Sequence, residues 1–171
     1  MDFKRVLVTG ATGYVGQALG RALSEAGYTV CPFYSRLDQH GCMYQECNDV
    51  EMVIHCGAEL KKREKMYETN VLGTKYLAQA AVKAGVKRFL YIGTASTRDT
   101  EYVRTKRQGE QEVERYRGPM QVQILRLPTL YGGHRGPHWL QWLKLVLQRR
   151  PINLQSRDEA VREVLRAVEA G

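Results

Sequence analysis

Tyr102 and Lys106 stand four residues apart in Tyr102-Val103-Arg104-Thr105-Lys106. On a helix, positions i and i+4 share a face, so this spacing sets an ammonium beside a phenol. A nearby cation favours the phenolate and lowers the tyrosine pKa. That suits the pair to proton transfer at a carbinol or carbonyl carbon near neutral pH. The pattern is common by chance, but here it follows the apolar run Tyr91-Ile92-Gly93-Thr94.

A second chemical pattern lies at the other end of the chain, in Thr9-Gly10-Ala11-Thr12-Gly13-Tyr14-Val15-Gly16. It follows a short apolar strand and opens an amphipathic helix, which is the context that gives a glycine triplet meaning. Gly10 allows the tight turn, Gly13 removes a Cβ where a pyrophosphate must approach, and Gly16 lets helix and strand pack closely. Free N–H groups at the helix start then meet the anion. Gly10, Thr12, Gly13, Tyr14, Val15 and Gly16 are therefore expected to bind the pyrophosphate of NAD or NADP. The end of the second strand separates the two. An acidic residue there bonds the ribose 2′-OH of NAD, whereas this chain has Phe33-Tyr34-Ser35-Arg36 and no carboxylate until Asp38. Ser35 and Arg36 suit a 2′-phosphate, so NADP is favoured over NAD, unless Arg36 is only a solvated loop residue.

The elements that must hold these groups can be read from periodicity. Val6–Val8 reads as strand one. Val15, Ala18, Leu19, Ala22, Leu23 and Ala26 fall at helical spacing, closed by Gly27. Strand two covers 28–34, with Pro32 awkwardly inside it. Residues 36–50 read as irregular, and 52–55 as a buried strand. A long helix covers 63–84 and ends at Gly85. A strand at 88–92, a polar helix at 101–116 and a strand at 122–127 follow. An apolar helix is expected at 139–147. Ser156 with Glu159 forms a capping box for a last helix striped by Val161, Val164, Leu165 and Val168. Apolar strands alternating with helices imply an α/β fold, a doubly wound parallel sheet of Rossmann type. With 171 residues the chain fits one domain.

Composition narrows the alternatives. No apolar run is long enough to span a bilayer. Strand one begins directly after Met1-Asp2-Phe3-Lys4 with no apolar leader, and Cys31, Cys42, Cys47 and Cys56 lack C-x-x-C spacing, so a cytoplasmic protein with reduced thiols is expected. No His/Cys cluster has ligand spacing, so no metal is implied. The net charge of +8 suits an anionic partner. The cations are scattered: Lys61, Lys62, Arg63 and Lys65; Arg104, Lys106 and Arg107; Arg149 and Arg150. They read as solvated helix faces, and no aromatic-interleaved basic motif favours nucleic acid. A homodimer is compatible with these features.

The three-and-three glycine spacing with the downstream tyrosine and lysine resembles the short-chain dehydrogenase/reductase superfamily, in its extended and atypical branches of NAD-dependent epimerase/dehydratase type. The resemblance implies further roles. Thr94, with Ser96 as second choice, takes the place of the residue that holds the substrate oxygen. Lys106 also reaches the nicotinamide ribose. Asn70 in Asn70-Val71-Leu72-Gly73-Thr74 matches the helix asparagine that holds a water for the proton relay. Cys56, Gly57 and Ala58 in Ile54-His55-Cys56-Gly57-Ala58 lie beside the adenine ribose and pyrophosphate. His55 is expected to be a packed core residue. Leu127, Pro128 and Thr129 run beside the nicotinamide.

The chain also departs from the pattern. Residues 36–50 leave little room for the strand and helix that normally contact adenine. Thr94 and Tyr102 are only eight residues apart. Little or no separate substrate lobe is expected after residues 153–161, and residues 132–139 could cover the cleft as a flap or be an ordinary loop. The expected function is an NADP-dependent oxidoreductase or epimerase acting on a carbonyl/carbinol centre, with nucleotide sugars among the candidate substrates. The alternative is a non-catalytic NAD(P)-binding sensor, assembly factor or subunit.

Overall fold

Period-two alternation sorts the apolar residues of each central strand onto two faces. The computed structural model describes residues 4–38, 43–131 and 154–170. In β1 (Arg5–Thr9), β3 (Met52–His55) and β4 (Arg88–Thr94), Leu7, Val53, Phe89 and Tyr91 join one core cluster. Val6, Val8, Met52, Ile54, Leu90 and Ile92 join the other. These strands are buried on both sides, so a helix layer must cover each face.

One layer consists of α1 (Tyr14–Glu25) and α6 (Arg157–Glu169). Leu19 and Leu23 of α1 pack with Val161, Val164 and Val168 of α6 against the Val6/Val8 face. The other layer holds α2 (Met43–Cys47), α3 (Arg63–Tyr67), α4 (Thr74–Lys83) and α5 (Glu101–Glu114). It contributes Met43, Cys47, Leu77, Ala81 and Val113 to the Leu7/Phe89 core. With β2 (Thr29–Pro32) and β5 (Gln121–Leu127), the sheet runs β2-β1-β3-β4-β5, and every pairing is parallel. The doubly wound parallel sheet read from the sequence is present.

Strand two is shorter than the 28–34 expected. Pro32 ends it at the sheet edge, opposite Val8. Phe33 N–H still donates to Val8 C=O at 3.0 Å. Successive N–H groups alternate sides, so the ring nitrogen of Pro32 faces away from β1 and no ladder bond is lost. Residues 36–50 are not wholly irregular, because α2 lies within them. Among the described residues no strand lies outside β2.

The long helix expected at 63–84 is one run with a π-helical turn, Glu68–Gly73, between α3 and α4. The capping box at Ser156 and Glu159 forms as expected. A small parallel pair, β6 (Thr129–Tyr131) with β7 (Leu154–Ser156), was not foreseen. Short runs of this length carry too little periodicity to identify. The helix expected at 139–147 and the flap at 132–139 lie outside the described residues.

Candidate active site

The chain leaves β1 for one side of the sheet and returns through β3 on the other. The crevice at such a switch point, beyond the carboxyl ends of the strands, is where doubly wound sheets bind ligands. A cleft of about 510 Å³ lies there. Its lining includes every glycine-loop residue singled out above, Gly10, Thr12, Gly13, Tyr14, Val15 and Gly16. Cys56, Gly57 and Ala58 after β3, Thr94 at the end of β4 and Ser96 beyond it, Tyr102 and Lys106 on α5, Leu127 at the end of β5, and Pro128 and Thr129 beyond it also line the cleft.

The loop is held by contacts that only bare backbone allows. Gly10 has φ +65°, and a Cβ there would stand 2.8 Å from Gly57 Cα. At Gly16 a Cβ would stand 2.1 Å from Gly10 O. The start of α1 is therefore pressed onto the turn that ends β1. Gly13 is its N-cap and supplies no side-chain cap. The N-cap thus supplies no side-chain acceptor to the first turn of α1 at a cleft wall, a place where a phosphate oxygen can serve as one. These residues fit a pyrophosphate.

At the other end of the cleft, α5 begins at a cap in which Thr100 Oγ1 accepts from Val103 N. This start places Tyr102 and Lys106 on the cleft within a turn of each other. Lys106 is 2% exposed, and its Nζ sits 4.0 Å from the centroid of the Tyr91 ring. Desolvation pulls its pKa down to about 8, with Cys56 and Glu110 acting in the opposite direction. Tyr91 is committed to structure, since its hydroxyl donates to Lys106 C=O at 3.0 Å. Thr94 Oγ1 accepts from Ser96 N at 3.2 Å, which leaves its own O–H available to donate. Burial pushes the Cys56 thiol up to about 12, so Cys56 is a neutral part of the wall.

His55 is fully buried, as expected, and its hydrogen bonds have a single direction. Thr74 Oγ1 donates to Asn70 C=O at 2.8 Å. Thr74 has one proton, so its 2.9 Å contact with His55 Nε2 requires Nε2–H to be the donor. Nδ1 then accepts from Thr9 Oγ1 at 2.6 Å, and Thr9 Oγ1 in turn accepts from Gly57 N at 3.0 Å. Burial, followed by the charge of Lys106, holds His55 well below its ordinary pKa. A neutral imidazole thus ties the end of β1, just before the glycine turn, and the start of α4 to the end of β3.

Asn70 does not line the cleft. Its amide hydrogens go to Glu59 C=O and Thr105 Oγ1, both at 3.0 Å, and its Oδ1 accepts from Glu59 N at 2.7 Å. Ser35 and Arg36 also lie outside the cleft lining. Arg36 makes a two-pronged pair with Asp38, at 2.8 and 2.7 Å, which holds the Asp38 carboxyl down to about 2. Glu46 of α2 accepts from the N–H groups of Tyr34 and Ser35, each at 2.8 Å, and from the Ser35 hydroxyl.

The sequence reading missed Glu46. It also missed Glu110, which is 3% exposed. Glu110 Oε2 takes both Nε and Nη2 of Arg126, at 2.9 and 2.8 Å. A Cβ on Gly93 would meet Glu110 Oε1 at 2.5 Å. The spacing Tyr102, Lys106, Glu110 was the available signal, since three residues four apart share one helix face. Leu60, Ile92, Gly93, Arg98, Thr100, Val103 and Leu130 complete the lining among the described residues. Among the described residues no group of His, Cys, Asp or Glu could hold a metal, and no helix is long and apolar enough to cross a membrane.

The model of the NAD dependent epimerase/dehydratase family matches residues 6–169. The chain belongs to that family. It is 30% identical over 138 residues to a putative dihydroflavonol 4-reductase of Synechocystis, covering 68% of this chain and 39% of the relative. It is 30% identical over 150 residues to a ceramide reductase of Caulobacter vibrioides, covering 74% and 46%. The chain thus spans less than half the length of these curated relatives. Among solved structures, a Bacillus cereus UDP-glucuronic acid 4-epimerase in complex with NAD superposes with TM-score 0.80 at 19% identity, covering 96% of this chain and 72% of that one. A Bacillus anthracis dTDP-4-dehydrorhamnose reductase in complex with NADP gives TM-score 0.78 at 21% identity, with coverage of 99% and 72%. At these identities the superpositions establish the Rossmann-type fold of the epimerase/dehydratase chain. The family match agrees with the resemblance read from its motifs.

Proposed function

We propose that this chain binds a nicotinamide dinucleotide along the cleft and moves a proton during oxidoreduction or epimerisation at a carbonyl or carbinol carbon. One observation carries the reading: the glycine loop, Thr94, Tyr102 and Lys106 all line one cleft at the switch point of the sheet. A bound nicotinamide supplies the hydride donor or acceptor. The N–H groups at the start of α1 hold the pyrophosphate. The Thr94 hydroxyl donates to the substrate oxygen. The Tyr102 hydroxyl exchanges its proton with that same oxygen, and the Lys106 charge one turn away stabilises the phenolate. Cys56, Gly57 and Ala58 line the pyrophosphate side, and Leu127, Pro128 and Thr129 the nicotinamide side. Asn70 acts as a tie between the 57–62 segment and α5, since both of its amide hydrogens are spent on protein atoms.

Either nucleotide satisfies the loop and the Tyr102 end, and the choice between NAD and NADP is made at the adenosine end. The test is titration with NADH and NADPH, followed by tryptophan fluorescence, and then hydride transfer measured across a panel of ketones, aldehydes and nucleotide sugars. Saturable binding of a dinucleotide with turnover of a panel member is expected. Binding without turnover of any substrate class would favour a sensor or subunit role, and no binding of either nucleotide would sink the reading.

A further inference from the structure

We infer that Glu46, beside the end of β2 and outside the cleft lining, makes this adenosine end select NAD over NADP, reversing the preference that Ser35 and Arg36 suggest in the sequence. The inference rests on the dinucleotide reading above and names which dinucleotide it is.

A 2′-phosphate at the end of β2 needs free cations and free N–H groups. Here both already have partners. The backbone N–H groups of Tyr34 and Ser35, and the Ser35 hydroxyl, already donate to the Glu46 carboxylate. Arg36 is turned onto Asp38 through two parallel hydrogen bonds, the geometry in which a guanidinium is best satisfied. Lys65 also leans on Asp38, at 3.8 Å. The charged groups described around this end are therefore two cations, Arg36 and Lys65, and four carboxylates, Asp38 and Glu46 in contact with it and Glu59 and Glu68 acting on Arg36 at longer range. A phosphate dianion entering here meets an anion seated on the donors it requires, and like charges at contact distance repel.

The same arrangement suits an unmodified ribose. A carboxylate offers roughly four lone-pair sites, and Tyr34 N, Ser35 N and the Ser35 hydroxyl occupy three of them. Glu46 is only partly buried, so the remaining site can accept a ribose hydroxyl. An acidic residue at the end of the second strand ordinarily does this. Here the carboxylate comes instead from α2, which the short 36–50 connection brings against the end of β2. The Glu46 contacts span eleven and twelve residues of sequence, so inspection of strand two alone shows no acidic group.

The test is to measure Kd for NADH and NADPH with the wild-type chain, Glu46→Gln and Arg36→Ala. Wild type should bind NADH about tenfold or more tighter than NADPH, and Glu46→Gln should shrink that ratio about tenfold. Arg36→Ala, at an exposed position that tolerates change, should leave NADPH affinity within about twofold because Asp38 already balances its charge. A wild-type preference for NADPH overturns the inference. So does an unchanged ratio in folded Glu46→Gln, or a tenfold loss of NADPH affinity in Arg36→Ala. Were Glu46→Gln not to fold, the wild-type ratio and Arg36→Ala decide the matter alone. Failure to bind either nucleotide is a different result, since it removes the dinucleotide reading and this inference with it.

Discussion

The Tyr102 end of the cleft and the segment beyond β2, proposed as the adenosine end, are built in opposite ways. At the nicotinamide end, Tyr102, Lys106 and Glu110 project from one helix at four-residue spacing, and Thr94 ends the strand before it. At the adenosine end, the contacts join β2, the 33–38 segment and α2. The residues proposed for the chemistry at the first end sit on rigid elements whose periodicity sets their geometry. The second depends on how a short connection happens to fold back. Local spacing therefore predicts which residues come together at one end and misses those that do so at the other.

The sharpest way to break this contrast is Tyr102→Phe. It should lower turnover on the order of a thousandfold while leaving NADH affinity within about twofold, read by steady-state kinetics and fluorescence titration. Turnover near wild type would remove Tyr102 from the chemistry. Gly16→Ala tests the joint between the two ends. Its Cβ would stand 2.1 Å from Gly10 O, and displacing that turn should cost about 3 kcal/mol in urea unfolding and abolish nucleotide binding. Gly13→Ala, whose Cβ meets Gly10 O at 3.0 Å, should cost less.

Lys106 sharpens the nicotinamide side through pH. Its pKa is about 8 in the fold against an ordinary 10.5. Below about 8 the lysine is protonated both folded and unfolded, and the buried charge penalises the fold in full. Between 8 and 10.5 the unfolded chain binds more protons, so stability rises with pH. Lys106→Met should therefore show its greatest stability advantage over wild type below pH 8, shrinking by up to about 3 kcal/mol as the pH approaches 10.5. Urea melts at several pH values check this, and a pH-independent difference would contradict it. The smallest effect is expected at Glu110→Ala. Its partner Arg126 has a half-exposed side chain, so the guanidinium left behind is solvated. The cost should stay near about 1–2 kcal/mol, below that of breaking a fully buried pair.

His55 shows the same division on a smaller scale. Its burial was evident from the apolar strand around it. Its role was not, because its partners Thr9 and Thr74 lie forty-six and nineteen residues away. Asn70 was found by its motif, yet its amide serves the 57–62 segment and Thr105 rather than lining the cleft. The Glu110–Arg126 pair spans sixteen residues and joins a helix to a strand, so neither segment signals the other.

By itself the sequence determined the parallel α/β sheet, the glycine turn that opens α1, the Tyr102–Lys106 helix face and the capping box at Ser156. Each depends on intervals of two to four residues, which backbone geometry converts directly into shared faces and free N–H groups. Tertiary structure alone decided that Lys106 is desolvated against Tyr91, that a neutral His55 locks the turn, and that Glu46 and Asp38 occupy the donors of the adenosine end. Desolvation and charge pairing depend on which distant groups come within a few ångströms of each other, and sequence periodicity carries no record of that.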